Sequence, residues 1–257
     1  MRRHIQAALL LLAGSAVLHI ALLTQLYLRY VKEGLRPYLI ASGVLLLVLG
    51  VVGAVRDGLP FAARRTDEEP AEGSAQPDDD HGHGHDHRGG PRVAWLLFPP
   101  VLALLLYAPP ALGSYTASRE TGNVIAPVSE FNPLPDADPA PLALSGFIAR
   151  VQQDREGSLA GRTVMMTGFV TPVPGAKDGS WYLSRLIVSC CAADSQSLRI
   201  RIHGVPAPPA DTWVTVTGTW HPGGTLGTAT AAVALDATSV RRTSEPISPY
   251  QDTPPVP

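Results

Sequence analysis

The chain predicts a membrane-embedded helical N-terminal region with three spans, followed by a mostly β C-terminal domain that closes as a five-stranded, OB-like barrel. Three observations carry this. Long apolar stretches with few charges lie before residue 113, runs of alternating β-type residues are confined to 142–242, and the only two cysteines, Cys190 and Cys191, stand side by side where one of those runs ends.

Residues 1–55 read as a helical hairpin. Ile5–Leu28 is interrupted only by Gln6, Ser15, His19, Thr24 and Gln25, and Tyr38–Val55 follows after a short charged turn. Each approaches the roughly 20 apolar residues that a helix needs to cross a bilayer core. A cleaved secretory signal would have a shorter apolar core and no second span behind it. His19 is a costly residue inside a membrane, and hydrogen bonding to a neighbouring helix is its simplest use.

The third candidate, 93–112, is apolar throughout but carries Pro99, Pro100, Pro109 and Pro110, with Trp95 and Tyr107 near its ends. Membrane helices tolerate proline better than soluble ones, and aromatic residues favour the interface. Orientation follows from lysine and arginine, which are retained in the cytoplasm. Arg2 and Arg3 precede the first span and Arg56, Arg64, Arg65, Arg88 and Arg92 follow the second, against Arg29, Lys32 and Arg36 between the two. The N-terminus is expected inside. With three spans the C-terminal domain of this multi-pass membrane protein is extracytoplasmic; with two it would be cytoplasmic.

Residues 56–92 are rich in proline, glycine and acid without apolar periodicity and read as a disordered loop. Within it, His81, His83, His85 and His87 alternate with glycine and aspartate. Such a tract can wrap a divalent cation such as zinc, nickel or copper, or it is a solvated linker. Residues 113–141 read as a proline-rich linker and 243–257 as a flexible tail.

The soluble domain, 142–242, opens with a segment, 142–153, that fits a short helix or a strand. Strand patterns follow at 162–170, 181–188, 197–203, 212–220 and 230–240, separated by Pro/Gly turns. Five short strands with glycine-bent positions fit a small barrel of the OB type, with a β-sandwich as the other solution. Such a barrel raises nucleic-acid binding, which the charge excludes. From Arg119 onward ten lysine and arginine residues face twelve acidic ones, so no positive field awaits a phosphate backbone.

Adjacent cysteines make a poor staple, because bridging neighbours strains the ring and closes no loop. With Asp194 three positions on, they read as a metal or thiol site. Both sulfurs reach one ion only if the strand has ended and the backbone turns at Cys190. Asp194 and His203, or else His221, are the candidate further ligands, for zinc or another divalent or soft ion. A redox dithiol and two small packed hydrophobes are the competing readings. The chain has no Cys-x-x-Cys, no nucleotide-binding glycine loop and no serine elbow, which argues against an enzyme.

Gly161-Arg-Thr-Val-x-x-x-Gly-Phe-Val170, Arg185-x-x-x-x-Cys-Cys-Ala-Ala-Asp194 and Trp213-Val-x-Val-x-Gly218, behind a membrane-anchoring N-terminus, resemble the YcgQ-like family of bacterial membrane proteins. The family pattern Cys-Cys-x-Ala-Asp-Ala is met except at Ser195. The resemblance implies a two-part membrane system with a multi-span permease as partner, and a link to zinc or other metal homeostasis, but no reaction. The expected function is therefore a membrane-anchored accessory subunit of a permease in metal ion handling. A membrane-bound thiol redox protein and a structural envelope protein without a site are the alternatives.

Overall fold

The structure is a computed structural model and describes residues 2–56, 110–120, 123 and 125–256, with the single positions 99 and 102. The loop histidines 81–87 and most of the 93–112 segment lie outside the described residues. Among the described residues two helices are long and apolar enough to cross a membrane, where three spans were expected. The chain divides into two compact units: 1–24 with 37–109, and 25–36 with 110–257.

In the first unit, α1 (Arg2–Leu23) and α2 (Arg36–Arg56) meet along small residues. A Cβ on Gly14 would lie 2.9 Å from the Gly43 carbonyl oxygen and 3.0 Å from Leu47, one on Gly43 would lie 2.8 Å from Leu18, and one on Gly50 would lie 2.8 Å from Leu11. The two backbones therefore approach as closely as glycine allows, which is how helices associate where no hydrophobic drive separates protein from solvent. The outward faces carry exposed Leu12, Leu22, Val44, Leu45, Val48, Leu49 and Val52. His19 is also exposed, rather than buried in the seam. α1 stops at Leu23, earlier than the apolar run suggests, because Tyr27 and Leu28 turn into a short 3-10 segment (Leu26–Arg29) and are buried in the second unit.

The second unit is built on one mixed sheet of six strands: β1 (Ala140–Pro141), β2 (Val164–Pro172), β3 (Trp181–Ile187), β4 (Gln196–His203), β5 (Trp213–Trp220) and β6 (Ala234–Arg242). Five strands were expected. The sixth, β1, is a two-residue parallel addition to the start of β2, too short to leave a sequence signal. β2 pairs antiparallel with both β3 and β5, β3 with β4 antiparallel, β4 with β6 parallel, and β6 with β5 antiparallel, so the pairing of the five long strands returns to where it began. A register shift at Thr217/Gly218 lets β6 bend around β5. Only glycine fits at 218, where a Cβ would stand 2.2 Å from the Asp236 carbonyl oxygen.

α3 (Ser114–Arg119) precedes the sheet, and α4 (Leu144–Gln153) leads into it. α4 resolves the ambiguity of segment 142–153. Leu144, Phe147, Ile148 and Val151 recur at helical spacing, and all four are fully buried against Val164, Met166, Trp181, Leu183, Ile200 and Val216.

Two segments expected to be loose are packed instead. In the expected linker, Ala117 joins Phe169, Leu186 and Tyr250 in a satellite cluster and Leu134 enters the main core. The Asn123 side chain donates to the Arg199 carbonyl (2.9 Å) and accepts from the Arg199 amide (2.6 Å), as a strand neighbour would. In the expected flexible tail, the Tyr250 hydroxyl accepts from the Leu112 amide (2.8 Å), and the Asp252 carboxylate accepts from the amides of Leu144 (3.0 Å) and Ser145 (2.6 Å). The tail thus supplies the cap that the first turn of α4 lacks locally.

Candidate functional site

β3 ends at Ile187, so both cysteines fall beyond the ladder, on a turn. Asp194 makes that turn. Its carboxylate accepts from the amides of Ser189 (3.0 Å), Cys190 (2.7 Å) and Cys191 (3.3 Å), folding the chain back on itself before the single 3-10 turn Ala192–Asp194. The Asp194 amide in turn donates to the Cys191 carbonyl (3.0 Å) and the Cys191 sulfur. An aspartate closing a loop through neighbouring amides is ordinary local chemistry for this residue.

Both cysteines are free thiols, Cys190 exposed and Cys191 half-buried. The Cys190 thiol interacts with the Asp194 carboxylate and with its neighbour Cys191. The bond to Asp194 first, then the contact with Cys191, pushes the Cys190 thiol up to about 11. The same bond, with the three amides, holds the Asp194 carboxyl below its ordinary range, against desolvation. Asp194 therefore belongs to the framework of the turn, with its oxygens already engaged.

The turn is also held from outside. The Lys32 amide donates to the Cys190 carbonyl (3.0 Å), the Ala192 amide donates to the Tyr30 carbonyl (2.7 Å), and Val31 bridges Cys191 in antiparallel fashion. Residues 30–32 belong to the segment that joins α1 to α2. Sequence reasoning missed them, and no signal could have found them, because backbone atoms make all of these contacts.

His203 does not join the cysteines. In the β3–β4 register Trp181 faces Ile202 and Ile187 faces Gln196, so His203 sits beside the start of β3 while the cysteines follow its end. Six residue steps of strand separate the two levels, about 20 Å. His203 instead stacks on His221, with ring centroids 4.4 Å apart and planes at 23°. His221 Nδ1 lies 2.7 Å from the Asp236 carboxylate, and His203 Nδ1 lies 3.8 Å from Asp178, which also faces Arg201 at 3.4 Å. Burial, then the neighbouring His221 and Arg201, lowers the pKa of His203 despite the two carboxylates. Among the described residues, no group of three or more His, Cys, Asp or Glu side chains is arranged to hold a metal ion.

Arg185, five residues before Cys190, is buried. Its Nε donates to the Thr167 carbonyl (3.0 Å), its Nη1 donates to the Gln251 carbonyl, and the guanidinium lies 5.0 Å from the Trp213 ring centroid. Burial lowers its pKa, opposed by Asp252. Arg185 thus ties β2, β3 and the tail together just before the cysteine turn.

No curated protein and no solved structure matches the chain. A DUF1980 C-terminal domain, of an uncharacterised family, is found over residues 147–251, a range that runs from within α4 to the tail and takes in Arg185, Cys190, Cys191 and Asp194.

Proposed function

We propose that the protein is a membrane-anchored accessory subunit of a multi-span permease in metal ion handling, and that Cys190 and Cys191 are its ligands for a thiophilic cation. The observation that carries this reading is the pair of adjacent free thiols on a turn held by Asp194. A thiol pushed up to about 11 makes a poor nucleophile, which argues against a redox enzyme. A metal ion competes with the proton directly, and so tolerates such a thiol. Two sulfurs supply half of a tetrahedral zinc site, whereas a soft ion such as copper(I) accepts fewer ligands. The histidines 81–87 are a second, less selective metal contact, and the permease is taken from the YcgQ-like resemblance.

The membrane topology is part of the proposal. The bonds from Lys32 and Ala192 join the α1–α2 connection to the β-domain, which supports a common compartment for both. With the N-terminus inside by charge, that compartment is extracytoplasmic and 93–112 supplies the return crossing. The closed ring of pairing among β2–β6 supports an OB-like reading of the domain.

The test is metal content and affinity of the reduced full-length protein in detergent. It is made with His81, His83, His85 and His87 replaced by alanine, with and without Cys190→Ser/Cys191→Ser. One equivalent of ion lost with the cysteines is the expected result. Equal binding by both proteins would overturn the metal reading.

A further inference from the structure

The cysteine turn is gripped on two sides by different parts of the chain. From within, Asp194 holds the amides of residues 189–191 and the Cys190 thiol. From without, the connection between α1 and α2 holds the Cys190 carbonyl through Lys32 and the Ala192 amide through Tyr30. The connection has its own supports. Tyr27 and Leu28 are buried, the amides of Tyr30 and Val31 both donate to the Tyr27 carbonyl (3.0 and 2.8 Å), the Leu35 amide donates to the Lys32 carbonyl (2.9 Å), and the Gln251 side chain donates to Glu33 (3.0 Å). It is therefore a built surface with the cysteine turn as its counterpart.

We infer that the thiol site is composite: Tyr30, Val31 and Lys32 are positioning residues for Cys190 and Cys191, and occupation of the sulfurs is felt in the segment joining the two apolar helices. This rests on the proposed metal reading for its ligand. Cys190 is the link, because its amide donates to Asp194 (2.7 Å) while its carbonyl accepts from Lys32 (3.0 Å).

When a thiophilic cation takes both sulfurs, two thiol protons leave to solvent and two metal–sulfur bonds form, with no change of oxidation state. The Cys190–Asp194 hydrogen bond is lost. The carboxylate that aims amides 189–191 then resettles, and the peptide unit carrying the Cys190 carbonyl moves against Lys32. Coupling is reciprocal, so whatever the ligand does to the clamp, the clamp does to ligand affinity.

The backbone offers a clean test. Lys32 has φ −61° and ψ 141°, values proline adopts without strain, and Val31 before it is paired as extended chain. Lys32→Pro therefore breaks the contact with Cys190, by deleting the amide and setting a ring carbon against the Cys190 carbonyl, whereas Lys32→Ala removes the side chain and keeps the amide. Full-length protein in detergent, with His81, His83, His85 and His87 replaced by alanine, is titrated with cadmium as the probe ion, followed by thiolate-to-metal absorption. In parallel, iodoacetamide alkylation of each cysteine is followed in time at one fixed pH.

Lys32→Pro is expected to weaken cadmium binding by on the order of fivefold, the effect of one hydrogen bond, and Lys32→Ala by less than about twofold. In Lys32→Pro the half-buried Cys191 is alkylated faster, because the released turn no longer holds it against Val31. Cadmium affinity and alkylation rate both unchanged in Lys32→Pro would overturn the composite site. Cadmium binding that survives Cys190→Ser/Cys191→Ser would sink the metal reading alone, and the alkylation profile then decides the positioning role.

Discussion

The helical hairpin and the β-domain solve the same packing problem in opposite ways. In the hairpin, contact is made by the smallest residues, Gly14, Gly43 and Gly50, while leucine and valine point outward. In the β-domain, contact is made by the largest apolar side chains, Trp181, Phe147, Leu183 and Ile200, while arginine, histidine and aspartate line the outer face of β4 and its neighbours. Water rewards burying large apolar groups; lipid does not, and leaves close backbone approach as the source of contact. One chain thus carries two interiors of opposite kind, and the two apolar N-terminal helices suggest association with a membrane.

The sharpest way to break that contrast is to empty one interior and watch the other. Phe147→Ala removes a fully buried ring from the contact between α4 and the sheet and should destabilise the β-domain by about 3–5 kcal/mol. Circular dichroism should lose the sheet signal at lower temperature and leave the helical signal where it was. Simultaneous loss of both would mean that the two regions do not fold separately. Gly43→Val is the converse and should cost the hairpin about 1–3 kcal/mol, since its Cβ would lie 2.8 Å from Leu18. Helix dissociation in increasing detergent reads this out, and an unchanged β-domain melt is part of the expectation.

The smallest change sharpens the picture at the site and touches neither interior. Asp194→Asn keeps the shape of the carboxylate and removes its charge. The Cys190 thiol is then released from about 11 toward the ordinary thiol range, so alkylation at a fixed mildly alkaline pH should accelerate. An unchanged pH profile would mean that the carboxylate does not control the thiol. The sign for Asp194 itself is opposite. Its folded pKa is depressed, so the stabilisation it gives the turn is present above the ordinary carboxyl range and is lost as pH falls through the folded value.

Much of this was legible in the residues. Alternation marked each long strand to within a few positions, because sheet faces differ in burial and the pattern has period two. The cysteines were correctly expected beyond a strand end. What stayed hidden depends on pairing and on backbone bonds. His203 was a plausible partner until the β3–β4 register put it at the far end of the hairpin. Asn123, Tyr250 and Asp252 lie in proline-rich stretches whose composition reads as loose chain, yet each is fastened through a backbone group of a distant segment. The grip of residues 30–32 leaves no trace in side-chain type at all.

The ring of pairing has a last consequence. β2 to β6 each have a strand on both sides for part of their length, but β4 and β6 meet over only three positions, Arg201–His203 with Ala234–Asp236, so among the described residues Ala237–Arg242 is laddered to β5 alone. Copies crowded together keep there a route to sticking edge to edge, which exposed Arg241 and Arg242 at its end oppose by charge. A partner that adds a strand has that stretch of β6 to pair with, and elsewhere must read the side chains that the sheet displays.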